Sequence, residues 1–254
     1  MVELQNIMAG YGAAPVLQGI SVVFPAGQVS CVIGPNGCGK STLLQAVTGL
    51  CPPQSGQVLV DGIPAGQLTG RQLAQRVAYL PQSRAVPDIT AYRMVLHGRF
   101  AYLDYPRRYR KEDHAAARAA LDWVGCAALA DRPLASLSGG QRQQVYIAMA
   151  LAQGAGSILL DEPTTYLDIR ARFGVMALAR RLAAGGKAVV LVLHDLDLVL
   201  RYADAVLLLQ NGRIAAAGSP RELIQSGRLS EVFGVSAHAA ATPHGEQYYF
   251  MPKE

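Results

Sequence analysis

Lys40 and Ser41 close the run Gly34-Pro35-Asn36-Gly37-Cys38-Gly39-Lys40-Ser41, with Thr42 next. The spacing Gly-x4-Gly-Lys-Ser is that of a loop that wraps phosphate. Its glycines allow positive φ, so successive backbone N–H groups converge on phosphate oxygens while the following helix turns its positive end toward them. Lys40 would bridge β- and γ-phosphates, and Ser41 would offer its hydroxyl to Mg²⁺. Asp161 and Glu162 stand side by side after the apolar run Ser157 to Leu160. Carboxylates at the carboxyl end of a buried strand lie where open α/β sheets bind ligands. Asp161 would hold Mg²⁺ through water, and Glu162 would orient the water that attacks the γ-phosphate. A turn cap is the plain alternative for this pair taken alone.

These groups need a sheet to hold them. Short apolar blocks at Leu17 to Phe24, Val29 to Ile33 and Val58 to Val60 predict a strand-rich opening, interrupted by the glycine loop and a helix from Lys40 to Thr48. Arg76 to Leu80 reads as another strand, and Pro87 to Val124 as a helical insert. Then come a helix (Gln141 to Ala152), a buried strand (Ser157 to Leu160), a helix (Asp168 to Ala184) and a second buried strand (Ala188 to Leu193). Strands apolar on both faces and alternating with helices imply a mostly parallel sheet covered by helices. A hairpin at Asn211-Gly212 and a helix near Pro220 to Ser226 follow, and from His238 onward the sequence carries little periodic signal.

Leu137-Ser138-Gly139-Gly140-Gln141 is the run that a generic phosphate-loop enzyme has no use for. Ser138 is a good N-cap, the two glycines permit close approach, and a helix N-terminus can face an anion. Here the sequence resembles the ATP-binding cassette family, whose signature is this pentapeptide, from Met1 to about Phe233. The resemblance implies an α/β P-loop NTPase cassette: a parallel core, an N-terminal antiparallel β-subdomain, a helical subdomain inserted at about 83–140, and a short extension over 234–254. It implies that each ATP is clamped head to tail between two copies, with Ser138, Gly139, Gly140 and Gln141 of one facing the loop of the other. Tyr11 would stack on adenine, with a core tyrosine as the competing reading, because one aromatic carries little specificity. Gln82 would reach Mg²⁺ and water, and His194 would touch the γ-phosphate and help Glu162. Asp168 would lie in a segment crossing the dimer interface, where an N-cap is the plain reading.

With 51% hydrophobic and 16% charged residues over 254 positions, the chain has ample core material. Its apolar runs fall far short of the roughly 20 residues of a membrane helix. No secretory leader is evident at Met1 to Gly10, and four cysteines without Cys-x-x-Cys spacing read as free thiols. The net charge of +5 is spread out, densest from Arg99 to Arg118, and does not call for nucleic acid. A free-standing cassette implies separate permease subunits, a periplasmic or lipoprotein binding protein that reaches it indirectly, and a peripheral place on the cytoplasmic face of the inner membrane. Asn36-Gly37-Cys38, Gly98-Arg99 and Thr164 to Ile169 resemble the subgroup serving iron-siderophore, haem and cobalamin import. The extension lacks room for the regulatory domain of sugar-import cassettes. Non-transport cassettes acting on nucleic acid or ribosomes are the runner-up, but Gln82 and Ser138 are only 56 positions apart, too close for a coiled-coil insertion. A P-loop kinase leaves Leu137 to Gln141 unused.

Overall fold

The computed structural model describes all residues except 13, 83–84, 243–244 and 253–254. The chain opens with β1 (Val2–Ala9) and β2 (Leu17–Phe24), passes through β3 (Val29–Ile33) and α1 (Lys40–Val47), and returns as β4 (Ser55–Val60) and β5 (Ile63–Pro64). Next come α2 (Gly70–Ala74), β6 (Val77–Leu80), α3 (Ala91–His97), α4 (Lys111–Val124) and α5 (Gly139–Ala152). The second half runs β7 (Ser157–Asp161), α6 (Ile169–Ala184), β8 (Ala188–Val192), α7 (Leu196–Tyr202), β9 (Ala205–Gln210) and β10 (Arg213–Gly218). Helices α8 (Pro220–Gln225) and α9 (Arg228–Phe233) precede a hairpin of β11 (Val235–Thr242) and β12 (Gly245–Pro252).

The main sheet has the order β10-β9-β3-β8-β7-β6, parallel except for β10. Strands β3, β7 and β8 are buried at every position. Because successive side chains leave a strand on opposite faces, these strands feed two cores. Cys31, Ile33, Ile158, Leu160, Val189 and Leu191 pack toward the helices, whereas Val32, Leu159, Val190 and Val192 pack toward α1 and the antiparallel sheet β2-β1-β4-β5. The phosphate-loop helix thus lies among residues of both sheets.

The helical insert is less continuous than the sequence predicts. Helix α3 ends at Gly98, where a Cβ would lie 2.3 Å from the Met149 carbonyl oxygen, so the glycine allows α3 to close on α5. A short 3-10 turn and non-helical chain follow before α4 begins at Lys111. Arg99 ties the lobe together: it pairs with buried Asp113 at 3.0 Å, donates to the Ala152 carbonyl at 3.0 Å and lies 3.6 Å over the Tyr102 ring.

Two elements escape the sequence pattern for physical reasons. In β1 a register shift around Asn6 (φ 49°) breaks the alternation, leaving Val2, Leu4, Ile7 and Ala9 buried. In the terminal hairpin, Tyr248 and Phe250 pack on the core while Tyr249 between them stacks on exposed His238, so apolar side chains occupy both faces and no period of two is visible.

Candidate active site

Past Ile33 the chain turns into the phosphate loop, whose shape depends on two glycines. At Gly34 (φ 151°) a Cβ would lie 2.2 Å from the Leu209 carbonyl oxygen on β9. At Gly39 (φ 107°), the cap of α1, it would lie 2.7 Å from Leu17 Cδ2 on β2. Only glycine fits between these walls. Lys40 is buried, and its ammonium donates to the carbonyls of Gly34 at 2.8 Å and Pro35 at 3.0 Å. Asn36 and Gly37 are exposed at the tip, Pro35 and Ser41 are half-buried, and Thr42 is buried. The Cys38 thiol is pushed up by burial, which the Lys40 charge opposes, so it fills space and is not an activated nucleophile. Cys31, Cys51 and Cys126 are likewise free and buried.

Asp161 ends β7 and is 2% exposed. Tyr79 on β6 donates to its Oδ2 at 3.2 Å, while Oδ1 has no hydrogen-bond partner among the described residues. Burial pushes the carboxyl above the usual range; the hydroxyls of Ser41 and Tyr79 and the Lys40 charge pull the other way, and the charge of Glu162 adds to the rise. The Tyr79 hydroxyl is itself pushed up to about 12, first by burial and then by the Asp161 charge. A buried carboxylate oxygen left unpaired beside a serine hydroxyl is the chemistry of a hard-cation site.

Glu162 leaves the strand in the left-handed region at φ 49°, a conformation costing a non-glycine residue about 1–3 kcal/mol. Its N–H donates to the Val192 carbonyl at 3.1 Å, anchoring the turn to β8. Its carboxylate gathers partners from three strand ends. Gln82 Nε2 donates to Oε2 at 2.6 Å, Thr165 Oγ1 donates to the same oxygen at 3.0 Å, and His194 Nε2 lies 2.6 Å from Oε1. A carboxylate held in this way is fixed in orientation beside the phosphate loop.

Tyr11 is 68% exposed, which excludes the core reading and leaves its ring open to a planar ligand; its hydroxyl donates to Gln45 Oε1. Ser138 caps α5, and with Gln141 it forms a reciprocal box: Gln141 N donates to Ser138 Oγ at 3.3 Å, and Ser138 N donates to Gln141 Oε1 at 3.1 Å. A Cβ on Gly140 would lie 2.9 Å from the Ala171 Cβ, and one on Gly139 would lie 3.4 Å from Leu167 Cδ2, so both glycines seat α5 against the start of α6. Asp168 caps α6 by accepting from Ala171 N at 2.8 Å. The structure therefore gathers the phosphate loop, Asp161, Glu162, Gln82 and His194, and sets Ser138 to Gln141 apart on the helical lobe. Sequence reasoning missed Tyr79, Gln45 and Thr165 as partners. Only Thr165, three residues after Glu162, left a local signal.

The phosphate loop, the strand-end carboxylate pair and the Ser-Gly-Gly helix tip stand together in this fold, and the pattern of the ABC transporter family matches residues 17–165. The chain belongs to the ABC transporter family. The hemin import ATP-binding protein HmuV of Streptomyces coelicolor (strain ATCC BAA-471 / A3(2) / M145) is 45% identical over 223 residues, covering 87% of this chain and 79% of its own. The ferric enterobactin transport ATP-binding protein FepC of Escherichia coli (strain K12) is 38% identical over 233 residues, covering 91% and 86%. A metal-chelate type ABC transporter solved in an inward-facing conformation matches with a TM-score of 0.86 at 30% identity, over 100% of this chain and 97% of that one. This ABC cassette binds ATP and hydrolyses it to power transport. Among its described residues no helix is long and apolar enough to cross a membrane.

Proposed function

We propose that this chain is the motor subunit of an importer for a metal chelate, an iron-siderophore, haem or cobalamin, working from the cytoplasmic face of the inner membrane with separate permease subunits and, through them, a binding protein. The observation that carries the hydrolytic part is Glu162, fixed by Gln82, Thr165 and His194 beside the phosphate loop. The cargo class is supported by the haem and enterobactin relatives. Residues 1–233 form the cassette, with its helical lobe inserted at about 83–140 and the 234–254 extension appended.

Asp161, Ser41 and Gln82 would hold Mg²⁺, the unpartnered Asp161 Oδ1 being the observation in favour. When bound, the ion supplies positive charge against the phosphates. Glu162 orients and deprotonates the attacking water, His194 steadies that carboxylate, and Lys40 neutralises the phosphate oxygens. Ser138 and Gly139 are exposed on the other lobe, so the site is completed by the helix tip of a second copy. Two copies close on two ATP molecules, and hydrolysis reopens them. A cleft of about 510 Å³ at the joint of the lobes, lined by Arg71, Ala74, Gly98, Phe100, Leu103 and Gln153, supports docking of a permease segment there.

The reading is tested in the Glu162→Gln background. Mg-ATP is expected to convert monomers to dimers, and Ser138→Arg to abolish that conversion while ATP still binds; dimers forming equally with and without Ser138→Arg would refute the clamp. Co-purification of a polytopic membrane protein from native membranes is the expected partner result, and recovery of ribosomes or nucleic acid instead would refute the transport role.

A further inference from the structure

Two turns come together where Glu162 meets His194, and one side chain joins them a second time. Helix α6 carries Arg172, whose Nε donates to the Leu167 carbonyl at 2.9 Å and whose Nη1 lies 3.5 Å from Asp195 Oδ2. Leu167 belongs to the turn that leaves β7 through Glu162, and Asp195 follows His194 in the turn that leaves β8. The links close a ring. It runs from Glu162 along the chain to Leu167, across the Arg172 guanidinium to Asp195, back to the adjacent His194, and from His194 Nε2 to Glu162 Oε1 at 2.6 Å.

Both turns need an outside hold. In the first, Glu162 (φ 49°) and Tyr166 (φ 62°) are left-handed, a conformation unfavourable for residues with a Cβ, and Tyr166 is exposed, so packing of its ring does not hold it. Such backbone persists only where its neighbours over-determine it, and the bond from Arg172 lands on the residue directly after Tyr166. In the second turn His194 is exposed. Asp195 Oδ1 caps α7 by accepting from Asp197 N at 3.2 Å and Leu198 N at 3.3 Å, while its Oδ2 faces Arg172. One carboxylate therefore fixes the start of α7 and ties the turn that carries His194 to α6. A guanidinium suits this task because its Nε–H and Nη–H groups leave one rigid plane in different directions.

Helix α6 also carries its own comparison. Farther along it, Arg180 makes a tie of the same kind at the other end of α7, where Nη1 donates to the Tyr202 carbonyl at 3.2 Å and to Asp204 Oδ1 at 2.6 Å. The two ion pairs are similarly exposed, but of the two only Arg172 stands at the strand ends that hold Glu162 and His194.

We propose that Arg172 is a positioning residue for ATP hydrolysis: by holding the Leu167 carbonyl and the Asp195 carboxylate together, it keeps His194 on the Glu162 carboxylate. This rests on the hydrolytic reading of Glu162 and His194 above, and Arg172 acts through His194.

The test uses the full chain as wild type, Arg172→Met, Arg172→Lys, Arg180→Met, His194→Ala and the double variant Arg172→Met/His194→Ala. For each, kcat and KM for ATP are measured by release of radiolabelled phosphate, and the urea midpoint is recorded. Methionine keeps the apolar stem and removes every donor. Arg172→Met is expected to lower kcat about five- to ten-fold with KM within about two-fold, the scale of one or two partly exposed hydrogen bonds expressed in the rate. Arg172→Lys, which keeps the charge and can reach one partner, is expected to bring kcat back to within about three-fold of wild type. Arg180→Met is expected to lower the urea midpoint as far as Arg172→Met does while kcat stays within about two-fold of wild type. In the His194→Ala background, Arg172→Met is expected to change kcat by less than about two-fold, since a histidine already removed cannot be displaced. Were Arg172→Met not to fold, Asp195→Asn opens the same ring with the cap oxygen kept, and is judged by the same kcat and His194→Ala comparisons. Wild-type kcat in Arg172→Met, an equal loss of kcat in Arg180→Met, or an undiminished loss in the His194→Ala background would each overturn the proposal. Wild-type kcat in His194→Ala would instead remove the assignment of His194 on which the proposal stands.

Discussion

Asp113 in the helical lobe and Asp161 in the sheet lobe are both buried, at 4% and 2% exposure, yet their surroundings are opposite. Asp113 takes a hydrogen bond from the Arg110 amide at 2.9 Å and an ion pair from Arg99 at 3.0 Å. Burial pushes its carboxyl up, but the Arg110 amide and the Arg99 guanidinium outweigh it and hold the group below the usual range. Asp161 keeps one oxygen unpaired and its carboxyl is held high. The difference separates the tasks of the lobes. The helical lobe pairs its buried charge within itself, while the sheet lobe leaves polar valence open for something that comes from solution.

The comparison breaks or sharpens at four points, beginning with the largest. Glu162→Gln removes an orienting base and no internal charge pair of the helical lobe, so steady-state ATPase is expected to fall by ~10²–10³ with urea stability little changed. Near-normal turnover in that variant would be fatal to its assigned role. Arg99→Ala leaves Asp113 buried without its ion pair, and is expected to cost about 3–5 kcal/mol in urea unfolding while nucleotide affinity is retained. A loss below about 1 kcal/mol, the scale of a surface pair, would show that the lobe does not depend on this tie. Asp161→Asn replaces a buried carboxylate, one oxygen of which is unpaired, by a neutral amide, so without Mg²⁺ or nucleotide it is expected to raise stability by about 1–3 kcal/mol while abolishing the effect of Mg²⁺ on nucleotide binding. A lower melting temperature for Asp161→Asn would contradict the contrast directly.

The smallest effect is one of pH. Because the folded Asp113 carboxyl is depressed, its stabilisation is complete above the unfolded carboxylate range near about pH 4 and is lost as pH falls through the lower folded value. The gap in urea midpoint between wild type and Asp113→Asn is therefore expected to narrow below about pH 4. A gap that stays constant from neutral pH down to that region would assign the stabilisation to packing.

How much of this was legible in the sequence depended on distance along the chain. The phosphate loop is contiguous, and its glycines declare the conformation they permit, so Gly34 to Thr42 could be placed before any coordinates. Strands β7 and β8 were readable because they are apolar on both faces. Strand β1 was not, since its bulge at Asn6 resets the alternation that would have revealed it. The triad around Glu162 could be expected only through family resemblance, because Gln82 and His194 lie 80 and 32 positions away. The hydrogen bond from Tyr79 to Asp161 was invisible for the same reason, because the two lie 82 positions apart and Tyr79 taken alone reads as an ordinary strand residue.

The two-sided packing of β3 has a last consequence. Val32 belongs to one core and its neighbours Cys31 and Ile33 to the other, and the strand ends directly in the loop that sets Lys40. A shift of one residue would exchange the occupants of both layers together and carry the lysine out of place with them. Insertions or deletions between Val29 and Gly34 therefore have no silent solution, and the pleat of a single five-residue strand acts as the gauge against which the position of the phosphate-gripping ammonium is checked each time the chain folds.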